Sequence, residues 1–109
     1  MIQCCIKRDK DGFSKKFYPK YDIIFSNNGQ FIASAQKMQL MRSAHYVVTL
    51  DHENMNKTCP GYIGKLRSNL VGTEFNMFDK GENPSAQIDN SQIRCQYGAL
   101  IYVFCFILL

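Results

Sequence analysis

Short runs in which apolar and polar residues alternate recur about every ten residues along this chain, and helical spacing is scarce. Successive side chains on a strand point to opposite faces of a sheet, so such runs specify half-buried strands. Residues 45–50 are a clear case. Tyr46, Val48 and Leu50 fall on one face there, and His45, Val47 and Thr49 on the other. On the same reading residues 2–8 form a first strand, closed by the charged turn Asp9-Lys10-Asp11-Gly12. Residues 21–26 and 30–36 are two more, joined through Asn27-Asn28-Gly29. Asn-Gly between apolar runs is a strong hairpin signal, because both residues accept positive φ. Residues 62–67, 73–78 and 93 to at least 103 complete the set of strands. Residues 51–60 read as a polar loop with room for one helical turn, and 82–91 as a loop. Many short strands at this spacing mean an antiparallel sheet, a sandwich or a barrel, so the fold class is all-β.

A chain of 109 residues is one domain at most, and 46% apolar with 13% aromatic content is that of a globular protein. The net charge of +4 is unevenly placed. Lys7, Arg8, Lys10, Lys15, Lys16 and Lys20 oppose only Asp9 and Asp11, while the rest of the chain is balanced. The excess suits an anionic partner, either a lipid surface or a nucleic acid, and equally a solvated strand end and loop. Phe13, Phe17 and Tyr18 lie among these lysines and are read as packing that loop onto the sheet. The cysteines Cys4, Cys5, Cys59, Cys95 and Cys105 show no zinc-like spacing, and reduced thiols in an intracellular chain are the expectation. The apolar run at residues 99–109 is too short for a membrane-spanning helix, which needs about 20 residues.

Catalysis has little to build on. His45 and His52 have no neighbouring nucleophile or metal-spaced partner in sequence, and the carboxylates are scattered. Gly61 and Gly64 flank a strand rather than opening a helix, so they make no phosphate loop. The expectation is a protein that is not an enzyme and uses no cofactor or metal. Met38, Met41 and Met55 read as core or loop fillers. Lys65 and Arg67 are the informative pair. At i and i+2 on a strand they share a face, roughly 6.5–7 Å apart. The alternation puts Tyr62, Gly64 and Leu66 on the opposite face. Two fixed cations at that distance can meet two phosphates of one inositol ring, Arg as a planar fork and Lys as a point charge. On spacing alone, charges on the solvated face of an ordinary strand are the commoner meaning. General attraction to an anionic surface adds only about 1 kcal/mol per basic residue, so a multiply phosphorylated headgroup would be needed for stable recruitment.

Longer stretches resemble one family. Ile2-Gln3-Cys4 with Lys7-Arg8-Asp9-Lys10 resembles the opening strand of the tubby C-terminal domain, and Phe17-Tyr18-Pro19-Lys20-Tyr21 is similar to its Tyr-Pro-x-Tyr element. Tyr62-Ile63-Gly64-Lys65-Leu66-Arg67-Ser68-Asn69-Leu70-Val71-Gly72-Thr73-Glu74-Phe75 and Phe78-Asp79-Lys80-Gly81-Glu82-Asn83-Pro84 come close to a verbatim family signature. Gly98-Ala99-Leu100-Ile101-Tyr102 resembles the next family strand. The resemblance implies a twelve-stranded closed β-barrel threaded by a central apolar helix. It also implies binding of phosphatidylinositol 4,5-bisphosphate through Lys65 and Arg67. A third family contact, an asparagine on the preceding strand, falls at His45, which can still donate a hydrogen bond. Implied roles are membrane tethering in signalling, ciliary delivery of membrane-protein cargo, and transcription. The implied setting is a monomer in the cytoplasm, at the inner face of the plasma or ciliary membrane, or in the nucleus.

The family domain runs to about 250 residues, the size of a single large barrel. Residues 1–102 therefore read as the first part of a tubby-type barrel, with the central helix and later strands missing. Residues 103–109 read as an apolar tail outside the family pattern. Such a piece would expose an unpaired edge and the apolar face meant for the helix, and marginal stability or aggregation is the expectation. Two alternatives stand beside lipid binding: DNA binding through the basic N-terminal segment, and a fragment with no independent function.

Overall fold

The computed structural model describes residues 1–9, 18–38, 42–85 and 90–103. Seven strands form one antiparallel sheet: β1 (Cys4–Asp9), β2 (Lys20–Phe25), β3 (Phe31–Lys37), β4 (His45–Thr49), β5 (Tyr62–Ser68), β6 (Glu74–Asp79) and β7 (Gln96–Ile101). Their spatial order is their sequence order, so the sheet is a plain meander, curled into a half-barrel. Every strand lies within a few residues of the run that the alternation marks. Only the last is clearly shorter, because Ile93 instead makes an isolated bridge to Glu82. The Asn-Gly hairpin forms as expected, with Gly29 at φ 70 and its N–H on the Phe25 carbonyl at 2.9 Å. Among the described residues the only helix is the short 3-10 turn Asn90–Gln92.

Residues opposite one another across a ladder share a face. One face carries the row Asp22, Ser34, Thr49, Tyr62 and the row Lys20, Gln36, Val47, Lys65, Phe78, Gln96. This face holds most of the buried side chains, and Val47, Thr49 and Ser34 are fully buried. The 51–60 loop covers it. Cys59 packs with Val47 and Tyr62, and Met38 packs against that cluster. The loop holds its shape by side chains accepting from backbone N–H groups two or three residues on, Asp51 to Glu53 and Asn54, Asn54 to Asn56, and Asn56 to Thr58. The room for a helical turn is filled by these turns instead. His52 pins the loop to β2: its Nε2 lies 3.0 Å from Asp22 Oδ2, its Nδ1 2.9 Å from Glu53 Oε1, and Lys20 donates to its carbonyl. Those two carboxylates raise the His52 pKa. The help this bridge gives the fold is therefore fullest below the ordinary histidine value of about 6.5, while both carboxylates stay ionised, and is lost as pH rises through the folded-state value.

The opposite face carries Ile6, Tyr21, Tyr46, Val48, Leu66 and Met77, with the Tyr21 and Tyr46 rings 6.2 Å apart. It is apolar and only half covered, with Ile6 and Met77 exposed. Among the described residues just four hydrophobic side chains are buried, Ala33, Val47, Cys59 and Tyr62.

Alternation misplaces one residue. Val48 pairs with Gly64 but Thr49 pairs with Tyr62, so Ile63 bulges out, 40% exposed, with no partner. The bulge turns Tyr62 off the Leu66 face and onto the face of Lys65 and Arg67. That face is also the covered one. Lys65 is 6% exposed, rather than standing on a solvated outer surface.

Candidate anion-binding face

Lys65 sits on β5 between Val47 of β4 and Phe78 of β6. Its Nζ donates to the Gly81 carbonyl at 2.8 Å, leaving two N–H donors. Arg67, two residues on, lies between His45 and Asn76. Its Nε donates to His45 Nε2 at 3.3 Å, so His45 acts there as an acceptor and its proton belongs on Nδ1. Strand geometry thus brings all three sequence-selected residues, His45, Lys65 and Arg67, onto one face.

Two further cations join them that period-two reading did not select. Lys57 belongs to the 51–60 loop, in the turn closed by Cys59 N–H on the Asn56 carbonyl, next to the buried Cys59. Arg94 lies before β7, its guanidinium stacked 3.9 Å over the ring of Phe78, the neighbour of Lys65. Lys57 lies in a loop, where sequence spacing carries no directional information, and Arg94, which the alternation assigns to the last strand, lies just before it. The stretch holding Arg94 is clamped by Asp79, whose Oδ1 accepts from Gly81 N–H at 2.8 Å and Cys95 N–H at 3.0 Å. Those two backbone donors lower the Asp79 pKa and keep the carboxylate charged.

The electrostatics are those of cations in excess. Burial lowers the Lys65 pKa, and Arg67, Lys57 and Arg94 lower it further, with only Glu82 opposing. Lys57 is lowered by burial and by Arg67, again against Glu82. Burial first, then Arg67, Lys57 and Lys65, bring His45 down to about 4, so it is neutral at physiological pH. Among the described residues Lys57, Lys65, Arg67 and Arg94 make no ion pair with a carboxylate. Among the described residues two buried side-chain polar atoms also lack a hydrogen-bond partner, Tyr62 Oη and Arg94 Nη1. No group of three or more metal-ligating side chains occurs among the described residues.

His45 yields a pH prediction. Its folded-state pKa is depressed, so the unfolded chain takes up this proton first as pH falls, and folding loses stability between about pH 6.5 and 4. His45→Asn keeps an acceptor for Arg67 but cannot titrate. Urea midpoints measured across that window should fall more steeply for the unsubstituted chain than for this variant.

Residues 10–17 of the basic N-terminal segment, with Lys10, Lys15 and Lys16, lie outside the described residues, as do Phe13, Phe17, Met41 and Cys105. Of the remaining cysteines, Cys4, Cys5, Cys59 and Cys95 are free thiols.

The fold is an all-β meander whose covered face gathers cations. The Tub family matches over residues 1–104. The chain is 32% identical over 108 residues to the mouse (Mus musculus) tubby-related protein 2, covering 94% of this chain and 19% of that protein. It is 32% identical over 104 residues to the human (Homo sapiens) tubby-related protein 1, covering 93% and 19%. Over 103 residues it is 36% identical to tubby-like F-box protein 12 of Oryza sativa subsp. japonica, covering 91% and 22%. This chain belongs to the Tub family. It spans about a fifth of the length of these relatives.

Proposed function

We propose that this chain carries a phosphoinositide-reading face, binding phosphatidylinositol 4,5-bisphosphate through Lys65 and Arg67. The observation that supports this is the convergence of Lys57, Lys65, Arg67 and Arg94 without a carboxylate partner among the described residues. Holding like charges together under partial burial is unfavourable, and a polyanion that binds there removes the cost. Two phosphates on adjacent ring carbons match the spacing of Lys65 and Arg67 on one strand face. His45, neutral and bonded to Arg67 Nε, positions the guanidinium rather than contributing charge. On this reading the chain is a tether at the inner face of the plasma or ciliary membrane, not an enzyme.

Co-sedimentation with phosphatidylcholine vesicles tests the reading. Vesicles doped with phosphatidylinositol 4,5-bisphosphate should retain the chain. Vesicles carrying the same charge as phosphatidylserine should not, and Lys65→Ala/Arg67→Ala should abolish the difference. Equal retention of the double variant would sink the site. Retention by double-stranded DNA that depends on Lys7, Arg8, Lys15 and Lys16 would favour the nucleic-acid alternative instead.

A further inference from the structure

The residue moved by the bulge at Ile63 has a hydroxyl with nothing to bond. Tyr62 is 8% exposed, and its Oη is buried without a hydrogen-bond partner. Buried polar groups are almost always paired, and an exception calls for a partner that arrives from elsewhere. Its neighbours on the same face are already engaged. Thr49 Oγ1, opposite it, lies 2.8 Å from the Asp51 carbonyl and 3.4 Å from Met55 Sδ. His45 Nε2 accepts from Arg67. Burial raises the pKa of the phenol, with Arg67 the largest opposing influence, so it keeps its proton and can donate. Arg94 Nη1 is a second buried donor without a partner, and Arg94 also acts on Lys65. Two orphaned donors beside cations in excess call for an acceptor that carries negative charge and several oxygens.

We infer that the Tyr62 hydroxyl is a further ligand for the anion, donating its O–H to a phosphate oxygen of the headgroup held by Lys65 and Arg67. The inference rests on the lipid-headgroup reading above and adds a contact to it. It also gives the bulge a role. Were Ile63 paired with Thr49 in a regular ladder, Tyr62 would face away with Leu66, and its hydroxyl would never reach this face.

Tyr62→Phe is the clean test, since it removes one oxygen and keeps the ring that packs on Val47 and Cys59. Two probes separate the sources of phosphate: soluble inositol 1,4,5-trisphosphate by calorimetry, and vesicles doped with phosphatidylinositol 4,5-bisphosphate. Affinity should fall about tenfold for both, equivalent to ~1.4 kcal/mol. The melting temperature of the free chain should stay the same or rise, because a buried unpaired hydroxyl has gone. Undiminished affinity in Tyr62→Phe, with Lys65→Ala/Arg67→Ala weakened, would overturn this inference and leave the lipid reading standing. A loss on vesicles alone would also overturn it, as would a loss accompanied by a lower melting temperature, which marks a structural hydroxyl. If the unsubstituted chain binds neither probe, the lipid reading fails and this contact with it.

Discussion

Gly64→Ala should destabilise the fold by about 3 kcal/mol, the upper end of the range for overpacking a filled site. A Cβ at Gly64 would stand 2.5 Å from the Phe78 carbonyl oxygen, and that atom is backbone, with no rotamer to escape into. Relief requires β5 and β6 to part, which breaks the ladder in which Lys65 faces Phe78. With four hydrophobic side chains buried among the described residues, the chain has little stability in reserve. Urea unfolding followed by circular dichroism should show a much lower midpoint or no cooperative transition at all. A midpoint close to that of the unsubstituted chain would mean that the two strands are not packed this closely.

Lys65→Met should move stability and binding in opposite directions. Methionine keeps the length of the side chain and removes a charge that is 6% exposed and surrounded by Arg67, Lys57 and Arg94. A lysine whose folded-state pKa is lowered makes the folded chain less stable wherever the ammonium is charged, and that cost is relieved only as pH climbs past the lowered value. Removing the charge relieves it at neutral pH, at the expense of the bond from Nζ to the Gly81 carbonyl. The net gain expected is about 1 kcal/mol, within the usual range for relieving strain at a functional site. Affinity for doped vesicles should nevertheless fall by about thirtyfold, ~2 kcal/mol, as befits losing one partner of a buried charge contact. Thermal melts and co-sedimentation on one preparation decide the matter. A drop in both quantities would recast Lys65 as a structural residue.

The strands were legible because their physics is local. Alternation in β4 and β5, and Asn28-Gly29 between β2 and β3, each follow from side-chain direction or φ tolerance within a few residues. The pairing of Lys65 with Arg67 on one face was legible for the same reason, since no register slip lies between them. Tyr62 was misread because a bulge is settled between strands, by how Thr49 meets its partner, and leaves no mark in the alternation itself. The burial of Lys65 was also missed, since the covering loop is held down by Cys59 and by the bonding of His52 to Asp22, a residue 30 positions away. Arg94 reaches the site through the Asp79 clamp, which joins residues 16 apart, and through its own N–H on the Glu82 carbonyl. The family resemblance, carried by the string from Tyr62 to Phe75, reached the family that the comparison bears out.

The simplicity of the meander has a consequence for how the molecule is made. Every substantial strand contact joins neighbours in the sequence, so each new strand can dock on the one before without waiting for a distant segment. Loop-closure entropy stays small at each step, and assembly can keep pace with the ribosome, hairpin upon hairpin. The cationic face closes late in that order, because its elements run from His45 to Arg94. While β1 to β4 are already paired, the lysine and arginine of β5 are still emerging. The nascent chain is thus shaped before it is charged at this face, which is complete only once Arg94 has emerged.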